Sequence, residues 1–547
     1  MAYDLVIRNG TIVDGTGAPR RAGGVAIQDG VIQAVGDVAG DARHVVDAHG
    51  QVVAPGFIDP HTHMDFFLKK YPAGLPVVQY GVTTVVIADC GASCSPLPPK
   101  GPTRDILMAY LHRVMDKYVD DALFEWETFE EYLDYLEGRV GINVAAFVPH
   151  SPIRLVVMGE DALKRQATAE ELAAMVGLVE SGWRAGAIGF SSSPLGGPLL
   201  HSDTPSTFAS REEMLALANA VGQHGGILGY NGMNTILKPD AMLGDLASNL
   251  SARMLLNEWA QPHGADETGR ILAGELERLQ AEGHPAWGVV VPYRHIRNVR
   301  GATFYPLEGV PAWEALPKEP GPLAERLADP DLRATFRAAA AEREEAAQWH
   351  ELLVKRTARQ ADRRWEGWTV QDAARETGQA PIDFALDLLQ RDDDGSTRFA
   401  LQGERNHSEE ILAEMIMSPY AVIGTDAGAH LDRFYFHGAP ARVLGYWSRE
   451  KKLLGLEEAV HKLTGIHGDI LNTKRGVLEA GRPADVVVFN PDTIDDGVLP
   501  RYPYYVDDEE VHRIPTGIDL VVVNGEVMVD HGDVTDARPG KVRRWEL

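Results

Sequence analysis

Two histidines, His61 and His63, stand two residues apart near the end of the stretch 51–65. The apolar residues before them indicate a buried strand. Side chains two positions apart in an extended segment point to the same side, so both imidazoles can bind one metal ion. Asp65 continues this side and is a candidate to orient one of the histidines through a hydrogen bond. The alternative is a chance pairing among the 19 histidines of the chain.

Other candidates follow later apolar runs, where further strands are predicted to end. A thiolate at Cys90 is a good zinc ligand that can bridge two metals, and the alternative is a small buried hydrophobic residue. His150 and Arg154 form a candidate pair, and the alternative is a hydrogen-bonded histidine beside a surface arginine. Ser191 is a candidate substrate contact that could instead cap the next segment.

Asp426 lies in the segment Val-Ile-Gly-Thr-Asp-Ala-Gly-Ala-His at 422–430. A carboxylate after a strand can bind a metal, take a proton from an attacking water and pass it to a leaving group. A helix N-cap is the alternative reading of this residue. His430 could polarise a carbonyl or be a packed residue.

The middle of the chain alternates apolar runs with helical stretches, which is typical of a parallel α/β fold. Eight runs are predicted as strands, the number that closes a (β/α)8 barrel. They are the run before His61 and the runs 83–88, 142–148, 187–191, 226–230, 288–291, 398–401 and 421–424. Side chains at the carboxyl ends of barrel strands converge, so this fold would bring the candidates to one site.

Both ends of the chain are predicted to build one small β domain. Residues 1–50 contain short strands joined by Asn-Gly and Asp-Gly turns, and strands recur at 484–489 and 518–529. These segments are too small to be stable separately, which favours pairing between the two ends.

The predicted domain limits follow from these patterns. Residues 1–54 plus 476–547 form the small β-sandwich, and residues 55–475 form the barrel. The barrel carries insertions at about 103–138 and 231–370. The second insertion is a candidate lid or subunit contact, because long insertions in compact domains are usually functional.

Composition and charge argue against several classes of protein. The 547 residues carry a net charge of −27 without a Lys/Arg cluster, which argues against nucleic acid as a partner. The sequence has no apolar run long enough to span a membrane, and residues 1–10 lack the basic and apolar regions of a signal peptide, so we expect neither feature. Two cysteines are too few for a disulfide framework. We therefore predict a cytoplasmic enzyme with a small-molecule substrate, as a monomer or a homo-oligomer.

Four segments together resemble the amidohydrolase superfamily, and most closely its N-acyl-D-amino-acid deacylase (D-aminoacylase) branch. They are Pro-Gly-Phe-Ile-Asp with the following His61-Thr-His63, the block 81–91 ending in Asp-Cys-Gly, the segment 424–430, and the tail 475–489. The resemblance spans nearly the whole chain. It implies a (β/α)8 barrel with a small β-sandwich and one or two zinc ions.

The resemblance also implies a ligand set and a reaction. His61, His63, Cys90 and Asp426 would hold zinc, with the cysteine in the place of a carboxylated lysine in other relatives. The implied reaction is hydrolysis of an amide, most simply of an N-acyl (D-)amino acid, by metal-activated water with Asp426 as proton shuttle. Two alternatives stay open: a cyclic amide, urea or carbamate hydrolase on the same scaffold, and a catalytically silent barrel protein.

The chain departs from the family pattern after the fifth and sixth strands, where the family has one metal-binding histidine each. The predicted fifth strand is followed by Gly-Tyr-Asn-Gly at 229–232. After the predicted sixth strand, Tyr293 lies near the expected position and His295 two residues later, so His295 is a further candidate ligand. Arg433 or Arg442 could bind a substrate carboxylate. The candidate substrate-binding residues are His150, Arg154, Ser191, Tyr293, His430 and Arg433.

Overall fold

The computed structural model describes residues 2–115, 119–193, 204–231, 242–257, 259–260, 267–294, 296–300, 304–307, 309–317, 320–343, 348–392, 394–402, 406–428, 436–497 and 515–542. Within these residues the strands form three sheets: a nine-stranded sheet, an eight-stranded parallel sheet and a three-stranded antiparallel sheet. In the same residues, no helix is long and apolar enough to cross a membrane.

The nine-stranded sheet joins the two ends of the chain in one small β domain. Its strands are β1 (Tyr3–Ile12), β2 (Arg21–Gln28), β3 (Val31–Gly36), β4 (Ala42–Asp47), β5 (Val52–Pro55), β17 (Val486–Phe489), β18 (Ile518–Val523), β19 (Glu526–Asp530) and β20 (Asp533–Val534). Strand β5 pairs with β1 on one side and with β17 on the other. The prediction that both termini build the small domain is therefore confirmed.

The eight-stranded sheet is the predicted barrel. Its strands are β6 (Phe57–Asp59), β7 (Val82–Ile87), β8 (Asn143–Pro149), β9 (Gly189–Ser192), β10 (Ile227–Tyr230), β11 (Arg253–Leu256), β12 (Ala286–Val290) and β16 (Ala421–Ile423). Each strand is parallel to the next in this order. The loops after β6 and β16 meet through His63 N donating to Ala427 O at 2.7 Å and Asp426 N donating to His61 O at 3.1 Å. The ring therefore closes at the carboxyl ends of its strands.

Two strand predictions were wrong. Residues 253–256, assigned from the sequence to an insertion, form β11, the sixth barrel strand. Residues 398–401 form β15 (Arg398–Gln402), which pairs antiparallel with β13 (Ile296–Arg300) and β14 (Leu352–Arg356) outside the barrel. The run of β11, Arg-Met-Leu-Leu, has no β-branched residue and so gives a weak strand signal. β15 looks like a barrel strand because Phe399 and Leu401 are buried in a core of their own.

That separate core belongs to an inserted subdomain between β12 and β16. Phe304, Trp313, Phe336, Trp365 and Phe399 are among its members, and all of its residues lie between 299 and 401. Its helices are Pro311–Glu314, Pro320–Arg326, Pro330–Glu342, Val370–Thr377 and Pro381–Gln390. Because this segment leaves the barrel after β12, it begins at the end of the barrel where the candidate residues lie. The domain limits given from the sequence stay predictions.

The remaining helices connect the barrel strands or, after residue 438, lead from the last barrel strand to β17. They are Phe67–Lys70, Pro102–Met115, Phe129–Leu136, His150–Met158, Ala169–Ala185, Arg211–Gly222, Met242–Asn249, Thr268–Ala281, Glu409–Met417, Ala439–Arg442, the π-helical Val443–Glu450, Leu456–Leu463 and Gly465–Ile470. Thr128 and Thr168 begin two of them with capping boxes, in which Glu131 and Glu171 bond back to the cap backbone.

A polar network joins the amino end of the barrel to the small domain. Asn143, buried at the start of β8, donates to Thr83 O at 3.0 Å and to Asp485 Oδ2 at 3.1 Å. Its Oδ1 accepts from Asn524 Nδ2 at 2.7 Å, and Arg475 pairs with Asp485. Removing one member would take a hydrogen bond from each of its partners at this junction, which makes the network costly to break.

We expect Asn143→Ala to lower the free energy of unfolding by about 1–3 kcal/mol, because the buried Asp485 carboxylate and the Thr83 carbonyl each lose a hydrogen bond. Urea denaturation followed by circular dichroism measures the effect. Gln33→Ala is the matched control, since Gln33 is exposed and makes a single long contact, at 3.4 Å. Equal midpoints for the two variants would contradict this role of Asn143.

Candidate metal centre

A buried carboxylate, Asp59, fixes the loops on both sides of the barrel seam. Its Oδ1 accepts from His61 N at 3.2 Å and from Thr425 N at 3.1 Å, and its Oδ2 accepts from Thr425 Oγ1. The loop with His61 and His63 is therefore held beside the loop with Asp426. Burial raises the pKa of Asp59 to about 6, although its contacts with Thr425 and His61 lower it. Sequence reasoning missed this residue, which ends β6 two residues before the first histidine.

Four candidate ligands meet at this seam. His61 Nε2 lies 3.9 Å from Cys90 Sγ and 3.4 Å from Asp426 Oδ1, and His63 Nε2 also lies 3.4 Å from Asp426 Oδ1. The donor atoms of His61, His63 and Cys90 all lie within 4.8 Å of one another. Four ligands around one tetrahedral zinc ion are separated by about 3.3–3.8 Å. The separations of 3.4–3.9 Å between His61 and Cys90 and between Asp426 and each histidine are close to these values, so these neighbours are placed to share one ion.

The charges around the donors also fit a cation. Burial lowers the pKa of His61, but Asp89, Cys90 and Asp426 outweigh it and raise that pKa well above its usual range. Burial raises the pKa of Asp89 to about 8, against the lowering effects of His61 and Asn257. Buried carboxylates are costly when ionised, and a cation at the centre would offset that cost.

The turn that carries Cys90 has a left-handed backbone that two serines hold in place. The φ angles of Ala88 and Cys90 are 62° and 54°. Ser191 Oγ donates to Ala88 O at 2.5 Å and accepts from Gly91 N at 3.0 Å, while Ser193 Oγ donates to Cys90 O at 2.7 Å. These bonds offset the strain of a non-glycine residue with positive φ. Ser191 thus positions the sulfur, and its contact with substrate stays a prediction.

His150 and Arg154 share a buried partner, Glu213. His150 Nε2 lies 2.8 Å from Glu213 Oε1 and its Nδ1 lies 2.7 Å from Ser192 Oγ. Arg154 Nη1 donates to both oxygens of Glu213. Burial lowers the pKa of His150 despite the carboxylate, so an Arg154–Glu213 ion pair sits beside a neutral imidazole. Arg154 is fully buried, so the alternative of a surface arginine was wrong, and the substrate-binding role of this pair stays a prediction.

Asp65 serves the Cys90 turn and does not orient a histidine as expected. It accepts from Ser93 Oγ at 2.6 Å and from Ala88 N at 3.2 Å. Tyr293 is buried after β12, where its hydroxyl donates to Asp496 Oδ2 at 2.9 Å. Its role toward substrate stays a prediction. Three further candidates, His295, His430 and Arg433, lie outside the described residues.

Two asparagines that sequence reasoning passed over complete the centre. Asn231 follows β10, and its Nδ2 lies 3.3 Å from Cys90 Sγ. Asn257 follows β11, and its Nδ2 donates to Asp89 Oδ1 at 2.9 Å. Asn257 was hidden because β11 itself was not predicted. Once β11 is the sixth barrel strand, Tyr293 and His295 follow the seventh, so they no longer stand near the position at which the family has its second histidine.

Fold and donor set together define an amidohydrolase-type barrel, with two histidines after the first strand, a cysteine after the second and an aspartate after the last. The amidohydrolase family profile matches residues 44–529, and the chain belongs to this family.

Several relatives are similar over the whole length of the chain. D-aminoacylase of Alcaligenes xylosoxydans xylosoxydans is 29% identical over 549 residues, which cover 99% of this chain and 97% of the relative. A solved D-aminoacylase, described by its binuclear metal centre, is 25% identical with a TM-score of 0.69 and covers 99% of this chain and 100% of its own. N-acyl-D-glutamate deacylase of Bordetella bronchiseptica, solved with zinc and a phosphonate inhibitor, is 25% identical, has a TM-score of 0.68 and covers 100% of both chains.

We expect Ser191→Ala to weaken zinc binding about 10- to 100-fold, because the Cys90 turn loses two of its hydrogen bonds and the sulfur is less well positioned. Competition with a chromophoric chelator measures the affinity. Ser448→Ala is the matched control, since its hydroxyl also donates to a backbone carbonyl, of Leu454, in another part of the chain. Equal affinities in the two variants would contradict the positioning role.

Proposed function

We propose that the chain is a zinc-dependent amidohydrolase that cleaves the amide bond of an N-acyl amino acid, with the D-enantiomers as the preferred class. The observation that carries this proposal is the convergence of His61, His63, Cys90 and Asp426 at the carboxyl end of the barrel. A purely structural barrel does not need two imidazoles, a thiol and a carboxylate in mutual contact there. A cytoplasmic location stays a prediction from the sequence.

The donor set favours zinc over magnesium or calcium, because a sulfur and two imidazoles are softer ligands than oxygen. A bound zinc ion would polarise the amide carbonyl and lower the pKa of a water molecule. His61, His63 and Cys90 would hold the ion, and their placement is fixed by Asp59, Ser191 and Ser193. The protein thus contributes a rigid shell around the reacting groups.

Asp426 is the residue to which we assign proton transfer. Its Oδ1 lies beside both histidines, and its side chain is the most exposed of the four donors, although only 7% of it is accessible. In the proposed reaction the oxygen of water bonds to the acyl carbon while Asp426 accepts the released proton. The carbon–nitrogen bond then breaks, and Asp426 returns the proton to the leaving amine. The products are a carboxylic acid and a free amino acid.

The substrate class rests on the relatives. The full-length relatives named above are a D-aminoacylase and an N-acyl-D-glutamate deacylase, and both names describe removal of an acyl group from a D-amino acid. A panel of N-acetyl-D- and N-acetyl-L-amino acids with neutral, acidic and basic side chains tests this class. A five-membered cyclic diamide and a linear carbamate belong in the same panel, since turnover of these alone would favour the cyclic amide or carbamate alternative.

We expect Asp426→Asn to lower kcat about 10²- to 10⁴-fold at saturating zinc, because an amide cannot accept the proton of water. Steady-state release of free amino acid measures the rate. Asp469→Asn is the control, as Asp469 is exposed on a surface helix. A loss below threefold would remove Asp426 from the proton path.

We expect His61→Ala/His63→Ala to lose bound zinc, since the two imidazoles are half of the donor set. Elemental analysis of protein purified without chelator measures the metal. His44→Ala/His49→Ala removes two exposed histidines and is expected to keep the parent's content. A parent protein that binds no metal even after incubation with zinc would overturn the hydrolase proposal and favour a catalytically silent barrel.

A further inference from the structure

The carboxyl ends of the fifth and sixth barrel strands each carry an asparagine. Asn231 follows β10 and Asn257 follows β11, and both side chains are buried beside the centre. Resting on the proposed function, we infer that the chain holds one catalytic cation, with Cys90 as a terminal ligand, and that Asn231 and Asn257 close the neighbouring position to a second cation.

The Cys90 sulfur contacts both His61 and Asn231. One side of it faces His61 Nε2 at 3.9 Å, and Asn231 Nδ2 contacts it at 3.3 Å. An amide nitrogen that donates a hydrogen bond offers no lone pair to a metal. The N–H group also takes up electron density that a bridging thiolate would have to share with a second cation. The sulfur is therefore arranged to serve one ion.

Asp89, the residue before Cys90, is a second buried group beside the centre. Its Oδ1 accepts from Asn257 Nδ2 at 2.9 Å and lies 3.7 Å from His61 Nδ1. The same oxygen would lie 3.2 Å from a Cβ added at Gly229, so the carboxylate packs directly against the strand that leads to Asn231. Asn257 thus holds one oxygen of this carboxylate, Oδ1, at the back of His61.

The described residues contain one group of side chains that could hold a metal ion. In the part of the chain that the structure describes, one group of three or more His, Cys, Asp or Glu side chains has its donor atoms close enough for a metal, and it is His61, His63 and Cys90. The solved D-aminoacylase is described by a binuclear centre, with activation by one metal and attenuation by the second. A chain without the second position would escape such attenuation.

Zinc stoichiometry tests the inference without relying on activity. The full-length parent is dialysed against buffered free zinc, and zinc per chain is determined by inductively coupled plasma mass spectrometry. One ion that is lost in Cys90→Ser supports the inference. Two ions that are both lost in Cys90→Ser overturn it. No ion overturns the proposed function itself, so failure of the two proposals can be distinguished.

Variants at Asn231 and Asn257 test whether these two residues limit the chain to one zinc ion. We expect Asn231→His/Asn257→His to bind two zinc ions per chain, because imidazole nitrogens replace amide N–H groups beside Cys90 and Asp89. Asn231→Asp is a second variant of nearly unchanged size, and we expect it also to gain an ion. Asn219 is a partly buried asparagine on the helix Arg211–Gly222. Asn219→His is the control, and we expect it to bind one zinc ion per chain. If both site variants stay at one ion while circular dichroism shows the parent fold, the assignment of the limit to these asparagines is overturned.

Discussion

The site depends on one buried carboxylate that bridges the seam of the barrel. Asp59 accepts hydrogen bonds from the backbone on both sides, from His61 and from Thr425. Without it, the first and last barrel strands would have to place their donors independently, and loops move relative to one another far more than strands do. Burial of the Asp59 carboxylate costs free energy, and the residue lies where the two histidines and Asp426 must keep a fixed separation.

A second layer of side chains then sets the position of each donor. Ser191 and Ser193 hold the left-handed turn at Cys90, and Asp65 holds the same turn from its other side. Asn231 contacts the sulfur, and Asn257 donates a hydrogen bond to Asp89. The chemistry proposed for Asp426 is thus supported by residues from most of the barrel strands, although few of them touch a reacting group.

Much of this arrangement could be predicted from the sequence. The His-x-His pair, Cys90 and Asp426 each follow an apolar run, and the rule that such ends converge brings them together correctly. The small β domain was predictable because its Asp29-Gly30 and Asn524-Gly525 turns demand positive φ, which the structure shows. β11 was not predicted because its run, Arg-Met-Leu-Leu, starts with a charged residue and has no β-branched residue, and β15 was misassigned because its own subdomain buries it. Glu213 and Asp59 were not predicted as site residues, because Glu213 contacts His150 and Asp59 contacts Thr425 only once the chain has folded.

The order of the chain has a consequence for how this protein folds during synthesis. The strand that completes the barrel, β16, leaves the ribosome only after the whole inserted subdomain, and the small domain cannot close until β17 reaches β5. Both closures join segments far apart in sequence, so they carry a large entropic cost and come late. The inserted subdomain, with its own core, can meanwhile collapse alone. The nascent chain therefore exposes, for a long time, a barrel that still lacks its last strand, and chaperone demand and aggregation during expression should be dominated by that species.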